Sequence, residues 1–265
     1  MRSIRSFIVC LFFITIKHAS CQSSESSDGL VISSPIPERS RHITILLEAK
    51  LQNGTRLLDC TTNEQEQVEV LAGIIPSRFR WENFSVFIEP SFGTDERTLI
   101  NTAMDRLSKV LPCVKFGILS IKPSSGDYIN IKNGTGCSSN IGKQGGAQNM
   151  SLHSRGCMSV GIIMHEMIHA LGFHHEQCRP DRDDFVVIEL ENVQPGLEHN
   201  FKKYSDSQVN TFGVAYDQKS IMHYDSKAFT KNGQPTIVAK NGGAVGSTGD
   251  LRKSDITKLK NMYKC

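Results

Sequence analysis

The stretch HEMIHALGFHHEQCRPDRD, His165–Asp183, holds four of the chain's nine histidines within eleven residues, with a glutamate directly behind the first. Apolar residues from Met158 to Leu171 repeat at helical spacing, which predicts a helix ended by Gly172. Residues four apart on a helix project from one face, so His165 and His169 can aim ring nitrogens at a common point. Gly172 can take positive φ and turn the chain back, letting His175 supply a third nitrogen. Three neutral imidazoles leave a tetrahedral zinc one open position for water.

Glu166 sits one residue round the helix from the first ligand and faces the open side of the metal. That is the place for a general base. Zinc lowers the pKa of a bound water toward about 7, the carboxylate takes the proton, and the nucleophile attacks a carbonyl that the metal polarises. The pattern predicts peptide-bond hydrolysis with one zinc ion. A bare HExxH recurs by chance among surface and core histidines. The longer HExxHxxGxxH also fixes the glycine that ends the helix, and this decides for a metal site. His174 has no role in that geometry and reads as a neighbour. Asp181 and Asp183 read as ion-pair partners of Arg179 and Arg182, not as catalytic acids.

The N-terminus bounds the compartment. Arg2 and Arg5 precede the apolar run Phe7–Ile16, and small residues follow up to Cys21, the pattern of a secretory leader over residues 1–21. The run is too short to span a bilayer core, which needs about 20 residues. No other stretch competes with it, so no membrane span is expected. In a secreted chain the cysteines beyond the leader, Cys60, Cys113, Cys137, Cys157, Cys178 and Cys265, read as disulfides. Sequons at Asn53, Asn83, Asn133 and Asn149 fit the same compartment. A formal net charge of +3, scattered along the chain, argues against a nucleic-acid partner.

Residues 22–80 begin Ser-rich and alternate short apolar runs with polar ones, which reads as a loosely ordered propeptide. The pattern tightens from Trp81. FSVFIEP reads as a strand, and TDERTLINTAMDRLSKVLP as a helix with Ile100, Ala103, Met104, Leu107 and Leu111 on one face and Thr94 or Asp95 as its cap. Short β-type runs follow around VKFGIL, YINIKNG and AQNMSL. After the His-rich segment the chain is loop-rich until SDITKLKNMY, a short terminal helix with Ser254 as cap.

HEMIHALGFHHEQCRPDRD, with SIMHY at Ser220–Tyr224 and GCSSNIGKQGGAQNMSLHSRGC at Gly136–Cys157, resembles the astacin metalloendopeptidases of the metzincin clan. The resemblance covers about Trp81 to Cys265. It implies an α+β catalytic domain of metzincin type over residues 81–265. A twisted sheet and two long helices would form the upper half, and loops with a C-terminal helix the lower half. It further implies a Met-turn at Met222, and Tyr224 as a fifth metal ligand that swings away to stabilise the oxyanion. Glu176 would be the acceptor of a new N-terminus, AQNMSL the rim on which extended substrate lies, and Cys137–Cys157 and Cys113–Cys265 the disulfides. Cys178 departs from the family pattern; it either pairs with Cys60 or stays a free thiol. The usual latency motif is missing, leaving Asp59 or Cys60 as its substitute. The picture is a secreted, monomeric zymogen acting on extracellular proteins or peptides, cut after Arg78 or Arg80. Keeping Glu166 argues against a silent zinc-fold binding protein, and Tyr224 with Glu176 argues against other metzincins.

Overall fold

The computed structural model describes residues 77–265 continuously, with side chains from Arg78. Upstream it describes the backbone of four strands, β1 (Ser20–Ser23), β2 (Thr44–Leu51), β3 (Gly54–Thr61) and β4 (Leu71–Ile74). The leader therefore falls outside the described residues except for its last two positions. Asn53 and the side chains of Asp59 and Cys60 fall outside them too. The chain divides into two compact units, Met1–Gln67 and Val68–Cys265. In the first, an antiparallel sheet of order β1-β3-β2 sets Cys21 opposite Cys60.

The second unit carries a five-stranded sheet. Its members are β5 (Asn83–Ile88), β6 (Lys115–Leu119), β7 (Tyr128–Lys132), β8 (Ser138–Ser139) and β9 (Ala147–Ser151), in the order β6-β5-β7-β9-β8. The first four in that order run parallel and β8 antiparallel. Alternation along β5 turns Phe84, Val86 and Ile88 into the core, whereas central β7 is buried at Tyr128 through Ile131.

Helix α1 (Thr94–Val110) buries Ile100, Ala103, Met104 and Leu107, the face its periodicity predicts. Its N-cap is Gly93, one residue before the expected Thr94, because the Glu96 carboxylate reaches back to accept from the Gly93 N–H at 2.7 Å. Helix α2 (Val160–Leu171) packs on α1 and is capped by Ser159. Helix α3 (Lys253–Tyr263) is closed at its start by Asp255, not by the expected Ser254, whose hydroxyl donates instead to Asp217. These helices and the sheet enclose one apolar core that also takes in Ile221, Met222, Leu259 and Met262. Below it are loops and a β-ladder of β10 (Val186–Ile188) with β12 (Ile237–Ala239), around a smaller cluster that includes Phe201 and Tyr216.

Three expectations change. The compact unit begins at Val68 and not at Trp81, since β4 pairs antiparallel with β11 (Val209–Thr211) and the Phe79 carbonyl accepts from the Lys143 N–H. Trp81 itself is a core residue, 2% exposed, its indole donating to the Ala170 carbonyl at 2.8 Å. The edge of the sheet on this side is β8, because β9, the AQNMSL strand, is flanked by both β7 and β8. Cys178 is a buried free thiol whose Sγ donates to the Asn200 carbonyl at 3.4 Å, so it does not bridge to Cys60.

The bridges Cys113–Cys265 and Cys137–Cys157 both form. The first closes 152 residues of sequence, worth up to about 5 kcal/mol on a loop-entropy account. Asn83, Asn133 and Asn149 are exposed. No helix among the described residues is long and apolar enough to cross a membrane.

Leu107, fully buried between α1 and the core, should lose ~2–5 kcal/mol on substitution by Ala. Ile121→Ala, at a side chain 79% exposed, should stay within ~0.5 kcal/mol. Urea titration of both variants checks this, and equal losses would contradict the assignment of the core.

Candidate metal centre

The three histidines converge. His165 and His169 face the same side of α2, which ends where Gly172 adopts φ 113°, a left-handed conformation that a Cβ would strain. The Gly172 N–H returns to the His169 carbonyl and the Phe173 N–H to that of Ile168, and the reversed chain delivers His175. Nδ1 of His165 lies 2.7 Å from the Ile221 carbonyl, and Nδ1 of His169 lies 2.7 Å from that of Phe173. A carbonyl only accepts, so both rings carry their proton on Nδ1 and present a bare Nε2 lone pair.

Those lone pairs point at one another. Nε2 of His175 is 3.3 Å from that of His165 and 3.0 Å from that of His169. Burial, with repulsion between the rings, pushes His169 down to about 3 and His175 well below its usual value; burial lowers His165 as well. All three are neutral at physiological pH, and no partner among the described residues fixes the tautomer of His175, so its Nε2 is free to present a lone pair to a shared cation. Ligand atoms at 2.0–2.1 Å from a tetrahedral zinc stand about 3.3 Å apart, so the spacing and the donor set both fit that ion.

Glu166 lies beside them, 5% exposed. Burial pushes its carboxyl up to about 7, and its Oε2 is buried without a hydrogen-bond partner among the described residues. An orphaned acceptor next to three converging ring nitrogens marks a place for cation and water.

Met222 is buried in a turn beneath the histidines. The Asp255 carboxylate of α3 holds that turn: it accepts from the Ser220 hydroxyl at 2.5 Å and from the Ile221 N–H at 3.0 Å. The Ile221 carbonyl is the one that orients His165. Tyr224 follows, its ring 4.3 Å from that of His175. Its N–H donates to Gln177 Oε1 and its carbonyl faces Nδ1 of His223, so its backbone is fixed on both sides. Burial raises the phenol well above its usual value, which keeps it protonated.

A family model described as Astacin, a peptidase family, matches residues 75–264. The chain belongs to the astacin family. Zinc metalloproteinase nas-14 of Caenorhabditis elegans is 42% identical over 181 residues, covering 67% of this chain and 35% of its own length. Meprin A subunit beta of Homo sapiens is 34% identical over 207 residues, covering 76% of this chain and 28% of its own. The chain thus spans about a third of the length of these curated relatives. High choriolytic enzyme 1, a hatching enzyme zinc-protease from Oryzias latipes, superposes with a TM-score of 0.63 at 31% identity, covering 77% of this chain and 98% of that one.

In this astacin Glu176 is already engaged. It is 4% exposed; Oε1 accepts from Arg179 at 2.9 Å and from the Asp217 N–H at 3.1 Å, and Oε2 accepts from Lys258 Nζ at 2.5 Å. Arg179 also grips Asp181 with two nitrogens, and Arg182 pairs with Asp183, so those aspartates make the structural ion pairs expected of them. His174 packs against Tyr204 beside the site, the two rings tilted by 43°, without joining the triad. Sequence reading missed Asp255 and Lys258. Their signal was present, since both fall on the apolar face of α3 with Leu259 and Met262, where an ionisable residue needs a partner.

Acid should destabilise the metal-free protein. His165, His169, His174, His175 and His223 all have folded values below 6.5, chiefly through burial. The unfolded chain therefore takes up these protons first, so their stabilisation is complete above 6.5 and is lost as pH falls toward values such as about 4 for His174. Glu166, raised from 4.5 to about 7, acts in the opposite sense: its contribution is complete below 4.5 and lost as pH rises through about 7. Asp255, also raised by burial, acts in the same sense as Glu166, but five histidines outweigh these two carboxylates, so the melting temperature without metal should be lower at pH 5 than at pH 7. Calorimetry at the two values checks this; a higher value at pH 5 would contradict the burial of neutral rings.

Proposed function

We propose that this chain is a secreted, monomeric zinc endopeptidase, made as a zymogen, that hydrolyses peptide bonds in extracellular proteins or peptides. The observation that carries the reading is three neutral imidazoles at tetrahedral spacing beside a buried carboxylate with an unpartnered oxygen.

Zinc held by His165, His169 and His175 would acidify a water and polarise a peptide carbonyl. Glu166 takes the proton from that water. It then hands that proton on to the leaving amine. The protonated Tyr224 phenol donates to the oxyanion as charge develops. An extended substrate adds its backbone to the open edge at β8, which packs near α2 and hence near the triad.

The leader-like N-terminus and the two bridges support secretion, and the upstream segment supports a zymogen. Pairing of β4 with β11 favours an activating cut in front of Leu71 over one after Arg78 or Arg80, which would strip β4 from the unit it belongs to. N-terminal sequencing of active material decides between them; an active chain beginning at Phe79 or Trp81 would refute the upstream site.

Removal of zinc by a chelator should abolish proteolysis, and readdition should restore it. Glu166→Gln should keep zinc but lose nearly all turnover. Tyr224→Phe should lose less, about 2.7–4 kcal/mol of transition-state stabilisation for one donor. Metal analysis with peptide-cleavage kinetics tests the three together, and near wild-type turnover in Glu166→Gln would overturn the assigned base.

A further inference from the structure

Of the two side chains given a part in the chemistry besides the ligands, Glu166 stands on α2 and Tyr224 lies outside any helix or strand. No backbone ladder fixes Tyr224, so its reach depends on what grips its two peptide groups. Its N–H is met by Gln177, which is fully buried, and its carbonyl by Nδ1 of His223 at 2.6 Å. The phenol ring is confined sideways, with ring centres 4.3 Å away at His175, 5.5 Å at Phe229 and 6.0 Å at Phe201.

His223 is itself held at every polar atom. It is 3% exposed, its N–H donates to the Ser220 carbonyl at 3.0 Å, and its carbonyl accepts from the Ser247 N–H at 3.3 Å. The Tyr224 carbonyl can only accept, so the His223 ring carries a proton on Nδ1. A neutral ring then offers a bare Nε2, and the buried Tyr216 hydroxyl, 2.7 Å away, donates to it. Tyr216 is seated by its faces. It stacks on Phe185 at 4.8 Å with the planes within 4°, and the Arg179 guanidinium lies 5.4 Å from its ring centre. It precedes the histidine it meets by seven residues, outside the motif that carries Met222 and Tyr224.

We propose that Tyr216 is a positioning residue for the hydrolysis: its hydroxyl locks the His223 ring, and that ring holds the Tyr224 backbone where the phenol reaches the developing oxyanion. The proposal rests on the oxyanion role given to Tyr224 above. Without the hydroxyl, a buried ring nitrogen loses its donor, which penalises the ring orientation that binds the Tyr224 carbonyl. The ring then turns toward another partner and releases that carbonyl. The phenol is left working from a backbone tied on one side, and a misplacement of about 1 Å costs up to roughly 100-fold in rate. Substrate binding draws on other parts of the cleft, so the loss falls on kcat and not on KM.

The test is a double-mutant cycle on the activated, zinc-loaded protein, read as kcat and KM on one peptide. Tyr216→Phe keeps the ring and its stack and should lower kcat about 10–100-fold, with KM within about twofold. Tyr224→Phe should also lower kcat, and adding Tyr216→Phe to it should cost nothing more, because the group being positioned is gone. A merely structural Tyr216 would lower kcat by the same factor in both backgrounds. Amide hydrogen exchange supplies a readout that needs neither turnover nor metal. In metal-free Tyr216→Phe the Tyr224 N–H should lose protection, while the Ile221 N–H, held by Asp255, keeps its own. Unaltered kcat in Tyr216→Phe, equal factors in the two backgrounds, or parallel loss of protection at both amides would overturn the proposal. If Tyr216→Phe does not fold, His223→Gln takes its place in the same cycle, with the same outcomes deciding. A Tyr224→Phe enzyme with wild-type kcat would overturn the oxyanion role beneath the proposal, a different result from an impaired Tyr224→Phe beside an unaltered Tyr216→Phe.

Discussion

Nε2 of His175 is held within 3.3 Å of those of His165 and His169 in a buried site, a crowding of ring nitrogens that a shared cation relieves, and the second compact unit is organised to enforce that arrangement. The rings must be neutral, so they are buried; they must not rotate, so two are tied to carbonyls. The carbonyls that orient them are in turn fixed by other elements. Phe173 belongs to the reversal after Gly172, and Ile221 belongs to the turn that Asp255 grips. The long helix α2, the Met222 turn and the terminal helix α3 therefore form one mechanical unit whose purpose is a point in space a few ångströms wide.

Much of this was legible in the sequence, for identifiable reasons. The ligands and Glu166 lie within eleven residues on a helix and its end, where spacing alone fixes direction. The face of α1 was legible because five apolar positions repeat at helical period. The departures come from long-range partners. Asp255 and Lys258 act across 34 and 82 residues of sequence, on Ile221 and Glu176 respectively, and no local pattern names such partners. The N-cap of α1 moved to Gly93 because a side chain three residues on reached back. The rim of the sheet moved from β9 to β8 because a two-residue strand is too short to stand out as a pattern. The boundary at Trp81 was drawn where the pattern tightened, yet β4 pairs across to β11 from before that point.

Ionisable groups in the interior are arranged in closed sets. Glu176 is satisfied by Arg179, Lys258 and the Asp217 N–H, and Asp255 by the Ser220 hydroxyl and two backbone N–H groups, whereas Oε2 of Glu166 is left bare. The contrast separates two uses of burial. In the closed set it rigidifies, since removing one partner strands another. At Glu166 it leaves a group free to exchange a proton, which a fully satisfied carboxylate would do poorly.

The placement of Lys258 on the last helix also bears on the order in which the chain is made. Glu176 leaves the ribosome 82 residues before the lysine that neutralises it, and the turn beneath the histidines precedes by more than thirty residues the carboxylate that clamps it. Until α3 has emerged and docked, Glu176 lacks its lysine partner and the Met222 turn lacks its carboxylate. The supports of the site are therefore the last of its parts to be synthesised, long after the histidines they sit behind.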